Sequence, residues 1–395
     1  MKRLLLITQN FYPEIGSGAN RMKHLYKQLK KQGYQVHVLT AEPSYPNQKM
    51  YEDDAFWDDE ELNAAHDSDI IRLKMRHEKH KRGLKARLSY YAEFMLKVHH
   101  FVRHADYLFD EIYVTSPNIF VPWGTLFFQP ARTSETVLEI RDLWPDSVEA
   151  IDMIKLKPFM PLLKFLEQRM YNKADKLVVN NESFIPHINA KLKSSKPMIY
   201  IPNALALDEV KKGELLSEFS IIYTGNLGFA QSLSQLKEIA RAINAEQIHF
   251  NVVAYGVHAN DFKQFVEAEQ LTYVTVIPTM TRKDCLTFTS RHHLSLSILK
   301  DTEVFLNVLP GKVIDSIGAG VPVISNLGGP ANQLINQYDV GFAKCSATTE
   351  ELIAAIISYR NNPVLWQKSR FHTEALAEQE FLWEKNIIKL IKFME

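Results

Sequence analysis

Cysteine is almost absent from the 395-residue sequence, which contains only Cys285 and Cys345. Two cysteines exclude a disulfide framework and a four-cysteine zinc site, and they are typical of a reducing compartment. Long apolar runs are absent as well: the longest lie at residues 4–7 and 119–128, and neither is long enough for a transmembrane helix. Because 46% of the residues are apolar, the chain can still bury a core in each of two domains.

The sequence also has no excess charge of either sign, because 46 Lys and Arg balance 46 Asp and Glu. We therefore expect no nucleic-acid partner. The balance hides two clusters: residues 52–69 contain nine acids and no Lys or Arg, and residues 72–103 contain ten Lys and Arg against two acids. We expect the acidic stretch to be a mobile, solvated loop.

Glycine is scarce at 15 residues, so the positions that have it are informative. Nine of the fifteen glycines fall in five loops between predicted elements. These are Gly16 and Gly18, Gly225 and Gly228, Gly311, Gly318 and Gly320, and Gly328 and Gly329. In open parallel sheets ligands bind in the loops that follow strands, so these loops are candidate ligand contacts.

Apolar runs alternate along the chain with stretches of helical periodicity. The runs predict strands at 4–8, 36–40, 70–73, 111–115, 136–140, 176–179, 198–201, 220–224, 248–254, 273–277, 294–299 and 322–325. The periodic stretches predict helices at 20–31, 84–104, 159–173, 349–361 and 363–393. An irregular stretch at 203–218 separates two series, which predicts two doubly wound Rossmann-like α/β domains facing a central cleft. We place the domains at residues 1–205 and 206–375, with a helix of about 376–395 packing back on the first.

The loop after the first strand contains Gly16 and Gly18 and opens the first helix. Free amides at a helix N-terminus suit a phosphate or a sugar hydroxyl. The loop lacks the dinucleotide fingerprint because Arg21 occupies its third glycine position. The alternative is an ordinary tight turn with Asn20 as the N-cap. The loop at 224–228 holds the equivalent position in the second domain.

The segment 309–324 opens a short helix at Pro310 and Gly311. Lys312 lies in the first turn of that helix, where the helix dipole disfavours a cation unless an anion is bound there. Asp315 follows three residues later on the same face and could accept hydrogen bonds from a ribose diol. The alternative is a surface salt bridge between Lys312 and Asp315, which would contribute little.

The segment 139–147 brings Arg141, Asp142 and Trp144 out of a first-domain strand toward the predicted cleft. The alternative is a structural Arg–Asp pair with Trp144 packed beneath it. The helix predicted at 84–104 has a wide apolar stripe, and Lys81, Arg82, Lys85 and Arg87 cluster at its start. We expect residues 72–104 to dock on an anionic membrane surface, with an ordinary core-packing helix as the alternative.

Five segments carry a resemblance to a known family. They are ITQNFYPEIGSGANRMKHL, GYQVHVLTAEPSYPN, EIRDLWPDS, YTGNLGFAQSL and VLPGKVIDSIGAGVPVIS. The chain resembles retaining glycosyltransferases of the family 4 type, which have the two-domain GT-B fold, and among them bacterial polysaccharide enzymes similar to N-acetylfucosaminyl transferases. The resemblance implies transfer of a hexosyl group, such as an N-acetyl amino- or deoxy-sugar, in capsule or lipopolysaccharide synthesis.

The resemblance also implies the partners. The donor would be a nucleotide sugar, usually UDP-linked, bound mainly by the C-terminal domain, and no metal or other cofactor is needed. The acceptor would be a glycan on the N-terminal domain, often linked to undecaprenyl diphosphate. Such an enzyme works in the cytoplasm, peripherally on the inner face of the cell membrane.

The same resemblance implies roles for individual residues. Asp315 falls where the family grips the ribose, and Asn307 where many members contact the donor sugar. Asn226 and Gln231 fall where many members have an Arg and a Lys for the diphosphate, so Lys312 is our candidate replacement and Arg282 a weaker one. Arg141 falls at the place that is often a histidine near the reacting carbon.

The predicted site therefore has three groups of residues. Catalytic roles go to Lys312, Arg141 and Asp142. Donor contacts go to Gly16, Gly18, Gly225, Asn226, Arg282, Asn307, Gly311 and Asp315. Acceptor contacts go to Asn20, Arg21 and Trp144. Two other functions remain open: a nucleotide-sugar 2-epimerase of GT-B fold, and a non-catalytic subunit that binds a sugar nucleotide or a lipid-linked glycan.

Overall fold

The computed structural model describes residues 2–66, 68–77, 84–105, 108–127, 134–149, 157–209 and 213–395. The chain divides into two compact units. The N-terminal unit comprises Met1–Pro202 with Asn386–Glu395, and the C-terminal unit comprises Asn203–Lys385. The first unit's main segment ends at Pro202, whereas the predicted boundary lies after residue 205. The C-terminal segment that joins this unit begins at Asn386, whereas the prediction places its start at about residue 376.

The N-terminal unit is built on a seven-stranded parallel sheet with the order β3-β2-β1-β4-β5-β6-β7. Its strands are β1 (Arg3–Ile7), β2 (Gln35–Ala41), β3 (Ile70–Leu73), β4 (Glu111–Thr115), β5 (Glu135–Ile140), β6 (Lys176–Val179) and β7 (Met198–Tyr200). The four apolar residues of β1 have no exposed surface, as expected for a strand covered on both faces. The strand order reverses between β1 and β4, so the loops after these two strands flank the position where doubly wound sheets bind ligands.

Seven helices in the described residues accompany this sheet. They are α1 (Ser17–Lys31), α2 (Glu60–Ala64), α3 (Leu84–Ala105), α4 (Phe120–Leu126), α5 (Asp146–Glu149), α6 (Met160–Lys173) and α7 (Phe184–Asn189). Helix α1 starts three residues earlier than predicted, with Gly16 as its N-cap. Asn20 therefore lies inside the helix and is not the cap.

The acidic stretch at 52–69 is more ordered than the expected solvated loop. It contains α2 and a short 3-10 helix, Asp54–Phe56. Asp59 caps α2 through Leu62 N and accepts from Lys23 and Lys27 of α1 at 3.1 and 2.9 Å. Because these contacts attach the acids to α1, the expectation of a mobile loop is wrong for this part of the stretch, while Asp67 lies outside the described residues.

Helix α3 buries much of the stripe that we expected to face lipid. Phe94, Val98 and Val102 have no exposed surface, whereas Leu88 and Leu96 are 43% and 59% exposed. Lys81 and Arg82 lie outside the described residues, and so do the side chains of Lys85 and Arg87. The described part of α3 is thus largely a core-packing helix.

The C-terminal unit has a six-stranded parallel sheet with the order β10-β9-β8-β11-β12-β13. Its strands are β8 (Ser220–Asn226), β9 (His249–Tyr255), β10 (Val274–Ile277), β11 (Leu294–Ser297), β12 (Val323–Ser325) and β13 (Gly341–Ala343). The edge strand β13 was not predicted. The order reverses between β8 and β11, so this unit repeats the topology of the first.

The remaining helices of the described chain follow in order. They are α8 (Leu233–Ala245), α9 (Ala259–Ala268), α10 (Arg282–Thr289), α11 (Glu303–Leu306), α12 (Gly311–Gly318), α13 (Gly329–Gln337), α14 (Thr349–Asn361), α15 (Pro363–Glu380) and α16 (Trp383–Met394). The single helix predicted at 363–393 is two helices, because Leu382 forms a β-bridge with Leu205 and interrupts the helical hydrogen bonds. No helix in the described part of the chain is long and apolar enough to cross a membrane.

Candidate functional site

The glycine loop at the start of α1 and Arg141 at the end of β5 lie side by side. A Cβ atom on Gly18 would lie 2.4 Å from Nη1 of Arg141, so the guanidinium can occupy this place only because the residue is glycine. Gly16 has φ 124°, a conformation that favours glycine. No side chain caps α1, and the N–H groups of a helix N-terminus attract negative charge. Gly16, Gly18 and Arg141 were predicted as separate site residues, and in the structure they form one positively charged patch.

A buried carboxylate, Glu139, holds this region together. Its Oε1 accepts from Arg21 Nε at 2.8 Å and from Tyr113 Oη at 2.7 Å, and its Oε2 accepts from Thr115 Oγ1 at 2.9 Å. Burial favours the neutral acid, but the charges of Arg21 and Arg141 outweigh it and lower the pKa of Glu139. Glu139 is therefore an ionised group inside the unit.

Arg21 is 3% exposed. Its guanidinium also donates to two main-chain carbonyls at the end of the segment Met1–Pro202. Nη1 donates to the carbonyl of Pro202 at 2.6 Å, and Nη2 donates to that of Ile201 at 2.9 Å. These contacts give Arg21 a structural role that the sequence did not reveal. Its predicted contact with an acceptor stays a prediction, as does that of Asn20, whose backbone N–H donates to Gly16 at 3.1 Å.

Arg141 is fixed in place by two oxygen atoms beside β4. Its Nε donates to Thr115 Oγ1 and to the carbonyl of Ser116, each at 2.8 Å. Burial lowers the pKa of Arg141, although the charge of Glu139 opposes this shift. Asp142 follows, and burial raises the pKa of its carboxyl to about 6, so it can take up or release a proton near neutral pH.

Trp144 lies a little further along the same loop. Its ring packs edge-on against Trp123 of α4, with 6.1 Å between the ring centroids. This contact matches the structural alternative for Trp144 in part, because the ring has a packing partner. The residue is only partly buried, so its predicted acceptor contact stays a prediction.

The last residues of β8 and the loop that follows them lie at the reversal point of the second sheet. Gly225 has φ 107°, and Asn226 fits between two glycines: a Cβ on Gly228 would lie 2.8 Å from its Nδ2, and a Cβ on Gly256 2.2 Å from its Oδ1. Gln231 closes the loop by accepting from the N–H of Gly228 at 2.7 Å. At the position where the resemblance implies a Lys for the diphosphate, this chain therefore has a residue that shapes the loop.

Lys312 lies at the start of α12 beneath this loop. Its Nζ donates to Tyr223 Oη at 2.9 Å and lies 4.2 Å from the centroid of the Tyr223 ring. Among the described residues no carboxylate forms an ion pair with it, and burial lowers the pKa of Lys312 to about 7. No side chain caps α12 at Gly311. A desolvated ammonium at an uncapped helix N-terminus is an arrangement that favours a bound anion.

Tyr223 is a site residue that sequence reasoning missed. It is fully buried in β8, and its hydroxyl donates to the carbonyl of Asn226 at 3.2 Å while accepting from Lys312. Tyr223 thus connects the start of α12 to the loop after β8. The sequence feature that could have identified Tyr223 is its position two residues before Gly225, near the end of an apolar strand.

Arg282 and Asp315 form an ion pair with a third member, Glu209. Arg282 Nε donates to Glu209 Oε1 at 2.8 Å, and Nη2 donates to Asp315 Oδ1 at 2.9 Å. Burial would lower the pKa of Arg282, but the two carboxylates outweigh it and raise the pKa. The Asp315 side chain is oriented by Arg282 and keeps 29% of its surface exposed. Asp315 therefore pairs with Arg282 and not, as the alternative had it, with Lys312.

Asn307 follows α11 and lies against the start of α13. A Cβ atom on Gly329 would lie 2.7 Å from Oδ1 of Asn307, and the N–H of Gly328 donates to the carbonyl of Leu306 at 3.0 Å. The loops after β11 and β12 thus meet at Asn307, which is exposed. An exposed amide at this edge of the sheet can hydrogen-bond to a sugar hydroxyl.

Known structures share this architecture over the whole chain. Sucrose-phosphate synthase from Thermosynechococcus elongatus is 13% identical with a TM-score of 0.75, covering 100% of this chain and 98% of that chain. HepE from Anabaena, in complex with UDP and glucose, is 12% identical with a TM-score of 0.71 and coverages of 100% and 99%. A TarM variant from S. aureus, in complex with fondaparinux, alpha-GlcNAc-glycerol and UDP, is 10% identical with a TM-score of 0.67 and full coverage of both chains (100%).

These likenesses confirm the predicted fold class: two parallel-sheet Rossmann-like units of the kind found in GT-B glycosyltransferases. At such low sequence identity these likenesses are evidence for the fold alone. Residues 16–204 match the family model described as a glycosyl transferase 4-like domain. The match begins at Gly16 of the glycine loop and includes the segment of Arg141. Among curated proteins none matches the chain significantly.

Proposed function

We propose that this protein is a retaining glycosyltransferase that moves a hexosyl group from a UDP-sugar to a glycan acceptor. The observation that carries the proposal is the partly buried ammonium of Lys312 at the uncapped start of α12, which has no carboxylate partner in the part of the chain that the structure describes. It lies beside the loop after β8, at the reversal point of the sheet. The glycosyl transferase 4-like match in the other unit and the UDP in the structures of HepE and TarM support the same chemistry.

The C-terminal unit binds the donor in this proposal. The diphosphate lies at Gly311 and Lys312, with Gly225 and Asn226 at the end of β8. Asp315 accepts from the ribose hydroxyls through the carboxylate that Arg282 orients. Asn307 contacts the donor sugar. As the bond between the anomeric carbon and the diphosphate breaks, negative charge grows on the leaving phosphate, and Lys312 stabilises it in a site that is already desolvated.

The N-terminal unit binds the acceptor and contributes a second positive patch. The acceptor hydroxyl attacks the anomeric carbon on the face that the diphosphate leaves, and its proton passes to an oxygen of the leaving phosphate. The patch of Gly16, Gly18 and Arg141 stabilises charge in the same reaction, and Asp142 assists from the adjacent position. No metal and no protein general base has a step in this scheme.

The acceptor is a glycan on undecaprenyl diphosphate in the proposed scheme, and the product enters a bacterial surface polysaccharide such as capsule or lipopolysaccharide. Such an acceptor lies in the inner membrane, so the enzyme works peripherally on its cytoplasmic face. The support for this part is the resemblance of the five sequence segments to bacterial polysaccharide enzymes.

The proposed function is tested by asking first which nucleotide binds and then whether a sugar moves. A panel of nucleotide sugars should raise the melting temperature most for one UDP-sugar. Incubation with that donor and a lipid-linked glycan should increase the acceptor mass by one hexosyl residue. Interconversion of the donor without an acceptor would instead identify an epimerase, and stabilisation without any mass change would identify a binding subunit.

Donor affinity should depend on pH through Lys312. Because its pKa is lowered to about 7, the ammonium is charged below pH 7 and becomes neutral as the pH rises. The charge of a UDP-sugar is constant between pH 6 and pH 8, so its Kd should rise by up to about tenfold over that interval. Calorimetry at several pH values measures this rise, together with proton uptake on binding.

Lys312→Arg is the control for this pH dependence. Arginine stays charged throughout the range, so the Kd of the variant should be flat with pH. A wild-type Kd that is equally flat from pH 6 to pH 8 would show that Lys312 does not face the diphosphate.

A further inference from the structure

Gln9 follows β1 by two residues and lies at the reversal point of the first sheet. Only 6% of the residue is exposed. Its main-chain carbonyl accepts from Thr40 Oγ1 at 3.3 Å, and its side-chain Oε1 accepts from Asn118 Nδ2. In the described part of the chain, Nε2 of Gln9 has no hydrogen-bond partner. Gln9 therefore holds an amide nitrogen at the edge of the sheet whose two hydrogens are available to a ligand.

Asn118 determines which atom of the Gln9 amide remains available. It lies between β4 and α4, and its Oδ1 accepts from the N–H of Val121 at 3.2 Å. Because this hydrogen bond fixes the position of Oδ1, the atom of Asn118 that faces Gln9 is Nδ2. A nitrogen that donates requires an oxygen as its partner, so Oε1 of Gln9 faces Asn118 and Nε2 of Gln9 faces away from it.

The partner of Gln9 lies next in the chain to a partner of Arg141. Arg141 Nε donates to the carbonyl of Ser116 at 2.8 Å. Asn118 follows Ser116 by two residues, which is a chain length of at most about 7 Å. The Nη1 atom of the same guanidinium lies against Gly18, at the uncapped start of α1. Gln9, Arg141 and the first N–H groups of α1 thus lie along one edge of the sheet.

These three groups are all hydrogen-bond donors. The two carboxylates nearest to Arg141 in sequence are bonded elsewhere: Glu139 is enclosed by its own partners, and Asp142 accepts from the N–H of Leu143. A sugar hydroxyl can accept from one donor of the set, but its own proton would find no acceptor among the three. An oxyanion accepts from all of them, in the charge-assisted hydrogen bonds that are the strongest in proteins.

We propose that Gln9 and Arg141 together bind an oxyanion of the acceptor substrate, and that Asn118 is the positioning residue of Gln9. Phosphate and carboxylate share the required chemistry. The inference rests on the proposed function in one respect, which is that the oxyanion belongs to an acceptor such as a diphosphate-linked glycan. Binding is measured without sugar transfer, so a failure of the oxyanion site and a failure of the transferase function are separate results.

NMR titration of protein labelled with ¹⁵N in glutamine tests the site. The Nε2 signal of Gln9 is assigned by its loss in Gln9→Met. Inorganic pyrophosphate should shift this signal in a saturable manner, and glucose should leave it unchanged. Glucuronate distinguishes the two sources: a shift with pyrophosphate alone assigns a phosphate, and a shift with glucuronate alone assigns a carboxylate. A signal that responds to glucose, or to neither anion, would overturn the proposal.

A cycle of two variants tests the role of Asn118. Asn118→Asp keeps an acceptor for the N–H of Val121 but cannot donate to Gln9, so the Gln9 amide should rotate and present Oε1 to the oxyanion. The Kd of pyrophosphate, followed through the backbone N–H signal of Gly18, should rise about tenfold in Gln9→Met and about 30-fold or more in Asn118→Asp. In the Gln9→Met background, Asn118→Asp should raise it by less than about twofold, because it acts through Gln9.

Gln48→Met is the matched control, because Gln48 is an exposed glutamine of the same unit. Its Kd for pyrophosphate should equal that of the wild type. If Asn118→Asp raised the Kd equally with and without Gln9, the effect would come from the added charge, and Asn118 would not be a positioning residue. If a variant failed to fold, as its melting temperature would show, the wild-type titration with pyrophosphate, glucuronate and glucose would still confirm or overturn the oxyanion site.

Discussion

Lys312→Ala should lower kcat by about 10²–10³-fold while raising the donor Kd by about tenfold or less. The effect on kcat should exceed the effect on the donor Kd because the negative charge on the leaving phosphate grows in the transition state. Removing one preorganised group that stabilises developing charge costs about 2.7–4 kcal/mol in the transition state. In the proposed ground-state complex the diphosphate of the variant would still be bound by the N–H groups of α12 and of the neighbouring loop. Steady-state kinetics, together with calorimetry for the donor, separate the two quantities.

The melting temperature of Lys312→Ala should stay at or above the wild-type value. The ammonium is desolvated and has no carboxylate partner among the described residues, so its removal relieves a cost while losing one hydrogen bond to Tyr223. Lys263→Ala is the matched control, because Lys263 is an exposed lysine of the same unit, on α9. Near-normal turnover in Lys312→Ala would remove Lys312 from the mechanism.

Most strands could be predicted from the sequence because buried parallel strands are apolar on both faces. Strands β3, β4 and β6 have the predicted bounds, and both sheets have the predicted doubly wound class. Strand β13 could not be predicted, since it has three residues and begins with a glycine. Gly341 has φ 148°, and a Cβ atom there would lie 2.0 Å from the carbonyl oxygen of Val323, so the strand depends on a close backbone approach that no side-chain pattern encodes.

The site shows where the sequence stops being informative. Helical spacing placed Lys312 and Asp315 on one face, and both do lie on α12. Their partners come from distant parts of the chain: Tyr223 for Lys312, and Arg282 for Asp315, with Arg282 also paired with Glu209. Pairings between residues far apart in sequence depend on tertiary packing, and a single sequence does not record them.

Arg21→Ala should destabilise the N-terminal unit by about 3–5 kcal/mol, because it leaves Glu139 as a buried charge without its main partner. The loss adds to that of the hydrogen bonds to Ile201 and Pro202. Hydrogen exchange measured by mass spectrometry gives the free energy of unfolding separately for peptides of β1 and β5. Peptides of the C-terminal unit serve as an internal reference in the same experiment.

The dependence of this loss on pH identifies its cause. In the wild type the pKa of Glu139 is lowered, so its contribution to stability is present above the unfolded-state pKa and disappears as the pH falls. In Arg21→Ala, burial should raise that pKa, so the destabilisation should be largest above pH 7 and should shrink as acid protonates the carboxyl. Adding Glu139→Gln to Arg21→Ala should recover part of the stability at pH 8, because the amide carries no charge. An equal loss at every pH, without recovery in the double variant, would assign the effect to the lost packing of Arg21 and not to the buried ion pair.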